Sequence, residues 1–88
     1  MIKFSYISVG IKWEHLDWNT RFDRLILEIK QYDCDIVCLQ EVQEEHYITH
    51  FDPTLKALGY RSVFKKRTGD KMDGCAIFYK KDNVCFTI

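Results

Sequence analysis

The chain has 88 residues, enough for one small domain, and a globular composition of 47% hydrophobic, 15% aromatic and 30% charged residues. Its 13 basic and 13 acidic residues cancel, so net charge gives no general argument for nucleic-acid or membrane affinity. No stretch reaches the ~20 apolar residues of a membrane span, no low-complexity tract points to disorder, and the first residues lack the apolar core of a secretory signal.

The charges are segregated along the chain. Asp33, Asp35, Glu41, Glu44, Glu45 and Asp52 fall in a segment with no Lys or Arg. Arg61, Lys65, Lys66, Arg67 and Lys71 follow, against the single acid Asp70. The cysteines are Cys34, Cys38, Cys75 and Cys85, with no Cys-x-x-Cys pair, which argues against a zinc ribbon. Cys38, Cys75 and Cys85 sit inside apolar runs, where thiols act as small core hydrophobes. They read as reduced, with no disulfide partner expected. That suits an intracellular compartment, cytoplasmic or nuclear.

In chain order, Ile2 to Val9 alternates imperfectly and predicts a first strand ended by Gly10. Ile11 to Trp18 is ambiguous. Asn19 or Thr20 can cap a helix, with Asp23 favourable in its first turn. Phe22, Leu25, Ile26 and Ile29 then follow the i, i+3, i+4, i+7 spacing of one helix face, and the helix should stop near Tyr32. Ile36-Val37-Cys38-Leu39 is a short apolar run that predicts a strand buried on both faces. Strand, helix and strand thus alternate, as in layered α/β folds.

Val42 to Phe51 reads as a second helix. Asp52-Pro53 gives a cap and a first-turn proline, Leu55 and Leu58 an apolar side, and Gly59 a stop. Tyr60 to Phe64 and Cys75 to Tyr79 predict strands, joined by a polar stretch with turn signals at Gly69 and Asp73-Gly74. Val84 to Thr87 predicts one more strand. It runs to the last residues, so an incomplete domain is expected.

Glu41 is the leading candidate for chemistry. An acid at the carboxyl end of a buried strand sits where open α/β sheets bind ligands, and a carboxylate there suits Mg²⁺. Acids after strands are also common, so on pattern alone Glu41 reads equally as a loop acid capping the next helix. His46 and His50 share the spacing of two zinc ligands on a helix, but the intervening Tyr47-Ile48-Thr49 lacks the acid of His-Glu-x-x-His, which leaves surface histidines. The basic run could meet a phosphate backbone, while Tyr60, Phe64 and Phe78 at strand periodicity point to the core more readily than to stacked bases.

The stretch Leu39-Gln40-Glu41-Val42 after a buried strand resembles the metal-binding signature of the endonuclease/exonuclease/phosphatase superfamily. Its extension through Tyr47 is similar to the branch holding nocturnin, the carbon-catabolite-repression deadenylases and the Angel proteins. Phe64-Lys65-Lys66-Arg67-Thr68-Gly69 and Asp73-Gly74-Cys75-Ala76-Ile77-Phe78-Tyr79-Lys80 narrow the resemblance to Angel-like proteins. Trp18, Arg21, Phe22 and Leu58-Gly59-Tyr60 fit the same order, so the match is clearest over 18–88.

The resemblance implies an α/β (α+β) fold: part of a four-layer α/β/β/α sandwich of the deoxyribonuclease-like type, a mixed sheet with flanking helices. Residues 1–88 would be the amino-terminal part of that domain. Glu41 would be a Mg²⁺ ligand and Gln40 would orient its loop. Lys65, Lys66, Arg67 and Asp73 would lie at the substrate, with Asp73-Gly74 turning into a core strand. The implied function is a Mg²⁺-dependent phosphodiesterase acting on RNA, in 3′-end processing or as a 3′–5′ exoribonuclease.

Two departures bear on activity. The family places an asparagine ligand at the end of the first strand, in Ser-Tyr-Asn, where this chain has Ile7 after Ser5-Tyr6. The later Asp-x-Asn motif and catalytic histidine are expected beyond residue 88. No complete catalytic set is therefore expected in this chain, and the alternative is a non-catalytic product that binds RNA or protein. An isolated fragment should also expose the face meant for a second sheet, and non-specific self-association is expected of it.

Overall fold

The computed structural model describes residues 2–80 and 82. Four strands form one mixed sheet: β1 (Phe4–Ser8), β2 (Ile36–Gln43), β3 (Tyr60–Lys66) and β4 (Asp73–Lys80), in the order β1-β2-β4-β3. β1 runs parallel to β2, and β4 is antiparallel to both β2 and β3. The parallel pair needs a crossover, supplied by helix α1 (Trp18–Tyr32). The predicted strand over Val84 to Thr87 lies outside the described residues.

Helix α1 has the predicted apolar face: Leu25, Ile26 and Ile29 are buried, with Phe22 packed beside them. Its cap differs from expectation. Asp17, not Asn19 or Thr20, precedes the helix, and its carboxylate accepts from the Thr20 backbone N–H at 3.1 Å and the Thr20 hydroxyl at 2.7 Å. Counted from Asp17, Asp23 falls beyond the first turn. The helix ends one residue past Tyr32, where Asp33 takes φ 47° and returns its N–H to the Ile29 carbonyl.

The register sets the two faces of the sheet. Ile7, Leu39, Ala76 and Phe64 form one cross-strand row, and Tyr6, Cys38, Ile77 and Val63 the next. Successive residues point to opposite faces, so the first row faces the helices and the second the other side. The core lies on the helix side, built on Ile7, Val37, Leu39, Val42, Ala76 and Phe78 against Leu25, Ile29, Phe51 and Leu55. The opposite face carries Phe4 and Tyr6 in the open, at 60% and 63% exposure.

Strand β2 runs four residues past the apolar run that predicts it. Beyond Leu39 the pairing resumes at Val42 with Gly74 and Gln43 with Asp73. Val42 is consequently a fully buried strand residue, not the start of a helix. The polar pair Gln40-Glu41 hides this continuation from any reading by hydrophobic run. Asp73-Gly74 likewise opens β4 instead of forming a turn, which falls at Gly69.

From Glu44 to Ala57 the chain is helical throughout, as α2 (Glu44–His46), a π turn (Tyr47–Phe51) and α3 (Asp52–Ala57). Asp52 is thus helical and does not cap; its N–H reaches the Tyr47 carbonyl five residues back. Pro53 has no N–H to give, and the wider turn before it absorbs that loss. The Asp52 carboxylate instead accepts from the Ser62 hydroxyl at 2.6 Å. Leu55 is fully buried, whereas Leu58 is 41% exposed and lies off the apolar side. Gly59, at φ 95°, ends the helix. None of the described helices is long and apolar enough to cross a membrane.

Candidate metal and phosphate site

Between the Leu39–Ala76 and Val42–Gly74 pairs, β2 spends two residues, Gln40 and Glu41, where β4 spends one, Cys75. That is a β-bulge, and such irregularities re-aim a side chain. By strict alternation Glu41 would point into the helix-side core and Val42 away from it. The extra residue reverses this: Val42 is buried and Glu41 is exposed. Glu41 takes φ 58°, a left-handed conformation that costs a residue with a Cβ about 1–2 kcal/mol.

The carboxylate then lies over the carboxyl end of β1. Ser8 Oγ donates to Glu41 Oε1 at 2.6 Å. Gly10 makes the space for the other oxygen: a Cβ at residue 10 would stand 2.6 Å from Oε2. Ser8 and Gly10 are absent from the predicted site. Their position two and zero residues from a strand end is readable, but the parallel pairing that brings them to Glu41, more than 30 residues away, is not.

Glu41 lines a cleft of about 360 Å³ together with Gln40, Lys65, Lys66, Arg67 and Asp73. The structure therefore brings all five predicted metal- and substrate-site residues to one place. The acidic and basic segments of the sequence meet here because β4 joins β2 to β3. Gly74 sets how closely they meet, since a Cβ there would lie 2.2 Å from the Lys65 carbonyl oxygen.

The five are not equivalent. Asp73 is 8% exposed and is taken up by Arg67, whose Nη2 and Nε donate to Asp73 Oδ1 at 2.8 and 3.2 Å. Asp73 thus fixes Arg67 at the cleft wall. Among the described residues, Lys65 and Lys66 form no ion pair, and their ammonium groups are left for an anion. Gln40 turns its amide away from Glu41, with Nε2 3.0 Å from Cys75 Sγ and 3.5 Å from Cys38 Sγ.

No three His, Cys, Asp or Glu residues converge among the described residues. One carboxylate with a neighbouring hydroxyl does not make a cage for zinc. It does fit Mg²⁺, which keeps much of its water and binds through one or two carboxylates plus substrate phosphate.

Ile7 is 5% exposed and belongs to the core, one residue before the Ser8 that meets Glu41. His46 and His50 are not free surface histidines. His46 stacks on Trp18 with ring centres 3.7 Å apart, and His50 meets Trp18 and Phe22 edge-on. Burial pushes the His46 pKa down, and His50 beside it adds to the shift. Tyr60 and Phe78 are buried and Phe64 stacks on Tyr47, so the aromatics of the basic segment serve packing.

A larger cleft of about 620 Å³ lies between α3 and β3, lined by Tyr47, Asp52, Lys56 and Arg61 among others. Its polar groups satisfy one another through Tyr47, Ser62 and Asp52 at 2.6 Å each. Size alone would favour it, yet it contains neither Glu41 nor the lysine pair, and the chemistry resides in the smaller cleft.

Residues 14–88 match the Endonuclease/Exonuclease/phosphatase family. Protein angel homolog 2 of Danio rerio is 54% identical over 67 residues, which is 76% of this chain and 12% of that protein. Among solved structures, ANGEL2, a 2′,3′-cyclic phosphatase, superposes with a TM-score of 0.78 at 40% identity, over 92% of this chain and 27% of its own. It has also been solved in complex with adenosine-2′,3′-vanadate. The human nocturnin catalytic domain with bound sulfate gives a TM-score of 0.73 at 32% identity, over 85% of this chain and 31% of its own. The chain thus spans about an eighth of the curated relative and about a quarter to a third of the solved domains.

Proposed function

Since this chain belongs to the Endonuclease/Exonuclease/phosphatase family, we propose that its Glu41 cleft is one wall of a Mg²⁺-dependent phosphodiesterase site acting on RNA 3′ ends. One observation carries this reading. A carboxylate fixed by Ser8 and Gly10 shares a cleft with Lys65 and Lys66, so a metal-binding oxygen faces phosphate-binding cations. The ligands of the solved relatives support the same chemistry. In adenosine-2′,3′-vanadate the vanadate stands in for the phosphoryl group of a cyclic phosphate, and sulfate in nocturnin is a tetrahedral anion of phosphate size.

Glu41 and Ser8 would hold the ion. Bound there, Mg²⁺ polarises a phosphoryl oxygen and offsets charge on the displaced group. Lys65 and Lys66 attract and neutralise the phosphate, and Arg67, held by Asp73, adds a cation of fixed position. Hydrolysis also needs a positioned base or nucleophile, and no histidine lines this cleft. The 88-residue chain therefore binds metal and phosphate without turning substrate over.

Magnesium titration of the labelled chain, followed by NMR, tests the proposal. Saturable shifts should centre on Ser8, Gly10 and Glu41 and disappear in Glu41→Gln. Adenosine 2′,3′-cyclic phosphate should then move Lys65 and Lys66 and remain uncleaved. Magnesium shifts spread over Glu44 and Glu45 instead would refute the site.

The buried Ile7, standing where an asparagine ligand is expected, favours a second reading: a non-catalytic RNA- or protein-binding product. An oligoribonucleotide that contacts Lys65 and Lys66 equally well with and without Mg²⁺ would select it.

A further inference from the structure

Beside the bulge, and on the sheet face away from the helices, two thiols meet. Cys38 Sγ lies 3.7 Å from Cys75 Sγ, across adjacent antiparallel strands. Gln40 donates its amide toward both sulfurs, most closely to Cys75 at 3.0 Å. Both cysteines are free thiols here. Cys38 is 9% exposed, while Cys75 is more open and lines the Glu41 cleft.

We infer that Cys38 and Cys75 are a redox-active pair, closed to a disulfide by a peroxide that enters through the cleft at Cys75. The sulfurs must close from 3.7 Å to ~2.0 Å, a rotation of side chains already in contact. Their strands are locked in one ladder, and proximity of this kind replaces an encounter between two separate thiols.

Cys75 reacts first because it is the accessible sulfur. Its thiolate attacks one peroxide oxygen, the O–O bond breaks, and hydroxide leaves to become water, giving a sulfenic acid. The Cys38 thiolate then attacks that sulfur. The S–S bond forms, the S–O bond breaks, and the second hydroxide takes the Cys38 proton. Two thiols and one peroxide give a disulfide and two waters.

Burial and the neighbouring Cys38 hold the Cys75 thiol above its usual pKa, and the Gln40 amide opposes that shift. The pair is accordingly slow at neutral pH and faster in mild alkali. Closure would tie β2 to β4 across the bulge that presents Glu41. The disulfide itself does not depend on the phosphodiesterase reading.

Hydrogen peroxide treatment of the 88-residue chain, alkylation of the remaining thiols and peptide mapping provide the test. The expected result is a dominant Cys38–Cys75 cross-linked peptide that forms about tenfold or more faster in the native chain than in concentrated urea. Dithiothreitol should return both thiols, and Cys38→Ser or Cys75→Ser should abolish the product. Gln40→Ala should slow the reaction, because it removes the donor that favours the Cys75 thiolate. A cross-link pattern unchanged by urea would overturn the inference, as would a Cys75 carried on to sulfinic acid while Cys38 still alkylates. Because the native and denatured wild-type chains are compared directly, the outcome does not rely on any variant folding.

Discussion

The hydroxyl of Ser8 and the carboxylate of Glu41, 33 residues apart in sequence, are joined by a 2.6 Å hydrogen bond. This contact links the end of β1 to the bulge of β2 and orients the one carboxylate that can serve a metal. Ser8→Ala removes the donor and leaves the backbone as it is. Magnesium affinity at Glu41 should fall by about tenfold, the usual scale for loss of a ligand-orienting group. Isothermal titration or NMR can measure it, and an unchanged affinity would show that Ser8 is a bystander.

Glu41 also bears a conformational cost. At φ 58° a glycine is at ease where a glutamate is not. Glu41→Gly should stabilise the chain by about 1 kcal/mol in urea unfolding while it removes magnesium binding. A stability gain paired with loss of binding is the signature of strain kept for a site. Destabilisation would mean that the carboxylate itself holds the bulge together.

Gly74 is needed for space. A methyl group there would meet the Lys65 carbonyl oxygen at 2.2 Å and Lys66 Cα at 2.8 Å, both backbone atoms that cannot swing aside. Gly74→Ala should cost about 3 kcal/mol and shift the amide resonances of Lys65 and Lys66. A change under about 1 kcal/mol would show that β3 moves away easily.

Arg67→Ala should be worse than an ordinary surface substitution. It strands Asp73, whose side chain is only 11% exposed, without its partner, at a cost of about 2 kcal/mol. Asp73→Asn in the same chain should return part of that loss, because the neutral amide is cheaper to leave unpaired. If the two substitutions simply add, the pair is decorative.

Acid should weaken the fold through His46. Its folded pKa lies below the ordinary 6.5, because burial against Trp18 and the nearby His50 disfavour the imidazolium. The unfolded chain then binds the proton more readily. This contribution to stability is complete above about pH 6.5 and is lost as pH falls toward the lowered folded value. Melting temperature should drop across that window, and His46→Phe should flatten the drop. An unaltered slope in the variant would assign it to other groups.

Much of this arrangement is legible in the sequence where one residue type repeats at a fixed spacing. Phe22, Leu25, Ile26 and Ile29 give α1, and Ile36 to Leu39 gives the centre of β2, because both signals are local. Glu41 is visible as an acid after a buried strand. Its actual setting is not, because a bulge is defined by the partner strand, and Gln40-Glu41 resembles a strand end until Gly74 and Asp73 are placed opposite Val42 and Gln43. The same limit hides Ser8 and Gly10. Asp17 was readable as a cap from its position three residues before Thr20, but the aspartate and asparagine choices around it are chemically alike. His46 looks like a surface residue only until Trp18, from the other helix, is stacked on it.

The turn over Tyr47–Phe51 carries one residue more than an α-helix would use. An in-frame loss of a single codon in this stretch would therefore leave a continuous helix, but would rotate everything after it by about 100°. Asp52 would swing away from Ser62, and Leu55 would leave the core it now fills. Length in this segment is consequently constrained more tightly than side-chain identity, and a deletion there is predicted to be more damaging than most substitutions.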